Sequence, residues 1–141
     1  MTERLLVYRF AAQAEQLAAM RQALREALQT VPASEKQRDD WVLAVNEACM
    51  NIIQHAYRQH SGAIDLQVQR QDLHLWFELR DQAPAIDTGR LQPRDLEQIR
   101  PGGLGLHFIY SIMDEVRFIP DPSGRGNCLV MQVDLQETHS T

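Results

Sequence analysis

Between Trp41 and Tyr57 the chain carries two stripes at once. Trp41, Val45, Ala48, Ile52 and Ala56 recur at the three- and four-residue spacing of one helix face. Glu47, Asn51 and His55 recur every four residues. Each such step turns about 400°, a drift of only about 40° around the axis. The segment therefore reads as an amphipathic helix lying on an apolar layer, with a carboxylate, an amide and an imidazole lined up beside the seam. That set suits a base, a metal ligand and a phosphate contact, with Arg58 further along where an anion can sit. It equally suits a solvated helix face.

The flanking sequence supplies the layer. Leu5 to Phe10 reads as an opening strand. Gln13 to Thr30 has apolar residues at Leu17, Met20, Leu24 and Leu28, which predicts a helix. Val31-Pro32-Ala33 breaks it, and Ser34 is placed to cap the Glu47 helix, expected to run to about Gln59. Ala63 to Arg70 alternates through Ile64, Leu66 and Val68, and a Gln71-Asp72 turn leads to a second strand over Leu73 to Leu79. Asp81 to Pro101 is a polar segment with three prolines, expected to be a mobile loop, above all from Asp87 to Pro101. A helix over Leu104 to Glu115 and strands over Val116 to Ile119 and Cys128 to Leu135 follow, the strands joined through Pro120 to Gly126. The order predicts an α/β two-layer sandwich, a mixed and mostly antiparallel sheet with helices on one face. Residues 1–136 form one domain and 137–141 a tail.

Composition removes several classes. The chain has 141 residues, enough for one core and not two. A net charge of −5 without a basic block argues against nucleic acid as a partner. No apolar run approaches the roughly 18 residues of a membrane span. The first ten residues are too charged for a signal peptide, so a cytoplasmic location is expected. Cys49 and Cys128 are the only cysteines and are expected to be free thiols. Neither has zinc-ligand spacing to a histidine. Lys36 is the only lysine and follows Glu35, which excludes a Gly-Lys-Ser/Thr phosphate loop. The chain is also too short for a eukaryotic-type protein kinase.

Two further segments carry chemistry. Asp81-Gln82-Ala83-Pro84-Ala85-Ile86-Asp87 follows a strand. Its aspartate can accept from an exocyclic amine such as that of adenine, its small residues admit a flat ring, and Ile86 can press on that ring. A Pro-containing exit turn has the same composition. Pro101-Gly102-Gly103-Leu104-Gly105-Leu106 opens a helix, where free amides and the helix dipole favour phosphate. A flexible hinge reads alike.

These three segments occur together, in this order. The chain thereby resembles the Bergerat-type ATP-binding fold of histidine kinases and gyrase-type ATPases. Asn46-Glu47-Ala48-Cys49-Met50-Asn51 with His55-Ala56-Tyr57, and Gly102-Gly103-Leu104-Gly105-Leu106 with Ile109, resemble the bacterial anti-sigma factor serine/threonine kinases. The resemblance implies ATP and Mg²⁺ as cofactors, Asn51 as the Mg²⁺ ligand and Glu47 as the base. It implies nucleotide contacts from Asn51, His55, Asp81, Ala83, Ile86, Gly102, Gly103, Leu104, Gly105, Leu106 and Cys128. It implies a homodimer that sequesters a sigma factor and phosphorylates a STAS-type antagonist of the anti-sigma factor. The family has glycine where this chain has Ala83, and threonine after a glycine near Asn127 and Cys128. A binding module that uses ATP as a structural ligand is the competing class, decided by what Glu47 does. Arg21 and Arg25, one turn apart on the first helix, can meet acidic partner residues or simply face solvent.

Overall fold

The computed structural model describes residues 2–57, 61–84, 104–120 and 125–135. Five strands form one sheet in the order β1-β2-β3-β5-β4: β1 is Glu3–Ala11, β2 Ala63–Gln71, β3 His74–Pro84, β4 Glu115–Pro120 and β5 Arg125–Asp134. Every neighbouring pair is antiparallel. The sheet is thus antiparallel throughout rather than mixed. Two hairpins, β2–β3 and β4–β5, set four of its strands, and β5 returns alongside β3.

Alternation decides which face is covered. Ile64, Leu66 and Val68 of β2, Leu75, Phe77 and Leu79 of β3, and Leu129, Met131 and Val133 of β5 are all buried. The row Val7, Gln67, Glu78, Val130 and Arg117, which points the other way, is exposed or half-buried. Helices α1 (Leu17–Ala27), α2 (Glu35–Asn51) and α3 (Leu104–Ile112) lie on the apolar face, α2 packing against both of the others. Leu17, Met20 and Leu24 of α1 are buried, as the helical spacing predicts. Trp41, Val45 and Ala48 form the buried seam of α2, and Trp41 meets the Phe77 ring at a centroid distance of 6.4 Å.

The start of α2 is locally encoded. Ser34 Oγ accepts from the Gln37 amide at 3.1 Å, and Gln37 Oε1 accepts from the Ser34 amide at 2.9 Å. This reciprocal box satisfies two amides that the helix leaves open. Arg38 then donates to the carbonyls of Leu28 and Val31 at the end of the preceding helical segment.

Several boundaries differ from the sequence reading, among them the start of β5, which is Arg125 rather than Cys128. The α-helix stops at Asn51 and continues as a π-helix over Ile52–Tyr57. The β2–β3 turn is Asp72-Leu73, with Asp72 at φ 53°, a conformation that aspartate tolerates. Strand β3 runs on to Pro84, because β5 pairs alongside it as far as Pro84–Arg125. Helix α3 ends at Ile112, where Asp114 is taken up by β5: its amide donates to Gln132 and its carboxylate accepts from the Asp134 amide. The expectations for Arg58, Ile86, Gly102, Gly103, the segment 87–101, the 121–124 turn and the tail lie outside the described residues.

Candidate functional site

Four elements meet at one end of the sheet. Helix α2 carries Glu47 and, as its last residue, Asn51. The π-helix carries His55 and packs on β3, which carries Asp81 and Ala83. Helix α3, opened by Leu104, Gly105 and Leu106, packs on α2.

Glu47 and Asn51 are one α-turn apart, and both are half-buried. Glu47 Oε2 and His55 Nε2 are shut off from solvent. Beside Glu47, the Asn46 side-chain oxygen accepts from Arg21 Nη1 at 2.8 Å, a bond from α1 that stiffens this part of α2. So Arg21 is turned toward α2 and does not simply face solvent. His55 does not extend the stripe in the way the four-residue spacing implies. It sits in the π segment, whose turns close on the fifth residue, so the 40° drift does not carry past Asn51.

Asp81 is the most telling residue. It continues the row Leu75, Phe77, Leu79 toward the helices, pairs with Ile64 and Asn127, and is the one buried charged side chain among the described residues. It lies inside β3, not after it. Its Oδ1 accepts from the Ala83 amide and from Asn127 Nδ2, each at 3.0 Å, and the Asn127 backbone amide also donates to the carboxylate. Burial pushes the Asp81 pKa up, and the hydrogen bonds from Asn127 and Ala83 hold part of that rise back. Ala83 is buried, and its backbone does not take a positive φ: among the described residues Asp72 alone does so without being glycine. The position therefore does not need glycine's conformational freedom.

Gly126 is where glycine is needed. It sits at φ 123°, and a Cβ there would lie 2.4 Å from the Asp81 carbonyl oxygen. Gly126→Ala is expected to destabilise the fold by about 1–3 kcal/mol, the scale of one strained backbone position. Chemical denaturation checks this. An unchanged midpoint would mean that the two strands separate at no cost.

Cys128 is not brought to this site. It pairs with Arg80 and Ile119 on the sheet face away from the helices, while Asp81 pairs with Asn127. It is buried but outside the main core cluster, and burial beside Glu78 pushes its thiol pKa up. The correction follows from strand parity: Leu129, Met131 and Val133 face the helices, so Asn127 shares their side and Cys128 does not. Asn127, after Gly126, is the residue that reaches Asp81. Both cysteines are free thiols.

The donor set fits a nucleotide carried with Mg²⁺. Asn51 offers an amide oxygen, the kind Mg²⁺ prefers, and Glu47 lies one turn before it. Among the described residues no group of three or more His, Cys, Asp or Glu side chains could hold a metal by itself. That suits an ion which takes one or two protein oxygens and completes its shell with phosphate and water. A buried carboxylate ringed by Ala83 and Gly126 suits a flat base bearing an amine.

Comparisons with known proteins bear on the family and the fold. Residues 10–133 match the family model described as a histidine kinase-like ATPase domain. The chain is 31% identical over 91 residues to proteins named serine-protein kinase RsbW from Bacillus thuringiensis (strain Al Hakam) and Bacillus cereus (strain AH820). That match covers 59% of this chain and spans 57% of the length of those relatives. Among solved structures, the fold is similar to a chain of the SiaB–SiaC complex from Pseudomonas aeruginosa, with a TM-score of 0.66 and 21% identity over 92% of this chain and 91% of that one. It is also similar to the histidine kinase domain of a blue-light activated histidine kinase from Erythrobacter litoralis EL346, with a TM-score of 0.61 and 18% identity over 86% of this chain and 64% of that one.

Proposed function

We propose, from the premise that this chain belongs to the family of histidine kinase-like ATPase domains, that it binds ATP and transfers the terminal phosphoryl group to a serine or threonine of a small partner protein. The partner is a STAS-type antagonist, and the chain holds a sigma factor when that antagonist is phosphorylated. The observation that carries the nucleotide reading is Asp81, a charged side chain kept inside the apolar row of a central strand and held by Asn127 and Ala83. A buried carboxylate is costly even when neutral donors hydrogen-bond it, and a ligand that uses it offsets that cost. The relatives' name, serine-protein kinase, supports transfer to a hydroxyl.

In this reading Asp81 accepts from the exocyclic amine of adenine, beside Ala83 and Ile86. Asn51 offers its amide oxygen to Mg²⁺, and His55 faces the phosphate side. The backbone from Gly102 through Leu106 carries the phosphates at the start of α3. Glu47 takes or orients the proton of the incoming hydroxyl. Mg²⁺, when bound, supplies positive charge against the transferring phosphoryl group. The proposal extends to a cytoplasmic homodimer with no direct role for nucleic acid or membrane. No helix among the described residues is long and apolar enough to cross a membrane.

The direct experiment is incubation with radiolabelled ATP, the candidate antagonist and a sigma factor. Label on the antagonist supports the kinase reading. ATP binding without label supports the competing class, an ATP-dependent binder. Asn51→Ala is expected to weaken ATP binding about tenfold in the presence of Mg²⁺ and to change it little in EDTA. Calorimetric titration measures both, and equal affinities in Mg²⁺ for variant and parent would remove the metal role.

A further inference from the structure

Tyr57 closes the π-helix and is buried. Its hydroxyl makes two hydrogen bonds: it donates to the Ala63 carbonyl at 2.6 Å and accepts from the Gln82 amide at 2.8 Å. These groups belong to neighbouring strands. The β2–β3 register runs from Gln71–His74 to Ile64–Asp81. In an antiparallel ladder, the carbonyl before Ile64 and the amide after Asp81 are the next groups to face each other. The hydroxyl bridges that pair of groups at the position where the paired register ends.

The ring is boxed in as firmly as the hydroxyl. Gly62 lies against it so closely that a Cβ there would come within 2.2 Å of Tyr57 Cε1. The Gly62 carbonyl in turn accepts from the Ala12 amide at 2.9 Å, which ties this corner to the end of β1. On the opposite side of Asp81, β3 and β5 also lose register between Asp81 and Pro84. Asp81 is therefore fixed from two sides: by Gly126 and Asn127 across β5, and by Tyr57 through the Gln82 amide and the Ala63 carbonyl.

We propose that Tyr57 is a positioning residue that sets which nucleobase the site accepts. It ties the segment following Asn51 to the strand pair that presents Asp81, and so holds the carboxylate at one depth and rotation. This inference rests on the reading of Asp81 as the base-recognising group. An adenine amine donates to a carboxylate held in that place. Guanine puts a carbonyl oxygen at the same ring position and is repelled by it. A site that discriminates through one buried polar group depends on that group's placement. Without the hydroxyl, the Gln82 amide and the Ala63 carbonyl either admit water or close on each other, and both outcomes move Asp81.

The test compares Tyr57→Phe with the parent chain by calorimetric titration of Mg-ATP and Mg-GTP. Phenylalanine keeps the ring against Gly62 and removes only the bridge. The expected result is a loss of about tenfold in ATP affinity with GTP affinity unchanged, so that the ATP-to-GTP ratio falls about tenfold. Leu24→Ala, a core variant remote from the site, is expected to lower the unfolding midpoint and leave that ratio as in the parent. A merely structural role for Tyr57 would give the same pattern as Leu24→Ala. Amide hydrogen exchange adds a readout on the parent chain itself: the Gln82 amide is expected to exchange slowly although its residue is exposed. Should Tyr57→Phe not fold, Gly62→Ala displaces the ring and is expected to lower the ratio in the same direction. A parent that prefers ATP and a Tyr57→Phe variant that keeps the full ratio would overturn this inference alone. A parent that binds neither nucleotide would overturn the nucleotide reading and this inference with it.

Discussion

Glu47→Gln is expected to lower phosphoryl transfer to the partner protein by about 10²–10⁴-fold, the range contributed by a positioned general base. ATP affinity is expected to stay within about twofold, because the substituted amide is isosteric and Glu47 is given no metal or base contact here. Nor should the fold respond strongly. The neighbouring Asn46 is held by Arg21, and the buried seam of α2 is made by Trp41, Val45 and Ala48 on another side of the helix. Single-turnover transfer of labelled phosphate, read beside a nucleotide titration, separates the two quantities. Transfer at near the parent rate would take the base role from Glu47. Loss of ATP binding along with transfer would move Glu47 from the reaction to the nucleotide site. An unlabelled partner with the parent chain itself would leave an ATP-gated binder as the reading.

Asp81→Asn is expected to give the opposite combination, a chain at least as stable as the parent that binds its nucleotide more weakly. The asparagine oxygen can still accept from the Ala83 amide and Asn127 Nδ2, which both end on Oδ1 in the parent. The other carboxylate oxygen becomes an amide donor and faces an adenine amine with the wrong polarity. A charge-assisted hydrogen bond is lost, so affinity falls roughly ten- to hundredfold. Stability moves the other way because the folded chain holds Asp81 with a pKa above its ordinary 3.8. Between that value and the raised one, the folded state binds more protons than the unfolded state. Stability contributed by Asp81 is then full below pH 3.8 and declines as pH rises through the folded pKa. At neutral pH the chain bears the full cost of a buried charge, and asparagine removes it. Denaturant midpoints measured across the weakly acid range should therefore decline less with rising pH in the variant. A variant clearly less stable than the parent at neutral pH would show that the carboxylate is a structural anchor rather than a group kept for a ligand.

Part of the placement of the candidate site's described residues is legible in the sequence, and the places where it is not have identifiable causes. Ser34 and Gln37 announce the start of α2, because a capping box needs only residues three apart. Asp81 could have been placed inside β3 from parity, since it continues the alternation of Leu75, Phe77 and Leu79. The Ala83-Pro84 pair read instead as an exit turn. Pairing with β5 keeps that stretch extended, and local propensity cannot register a partner some forty residues away. The resemblance points to Cys128 as well as Asn127, whereas the alternation of Leu129, Met131 and Val133 puts Asn127 on their side and Cys128 on the other. α-Helical spacing sets His55 on the stripe, and the π-helix from Ile52 carries no local signal that distinguishes it from an α-helix.

The sequence by itself determined the layers, the antiparallel hairpins and the order of the three chemical segments. Those follow from periodicity, capping and turn residues, which act over a few positions. Only the tertiary structure decided that Asn127 lies within hydrogen-bond reach of Asp81, that Gly126 is a glycine the fold needs there, and that Tyr57 bridges β2 and β3 beside it. Each of these depends on two backbones meeting at a distance of a few ångströms. Register, bulges and the wide π turn set that distance, and none of them is fixed until the strands and helices have packed.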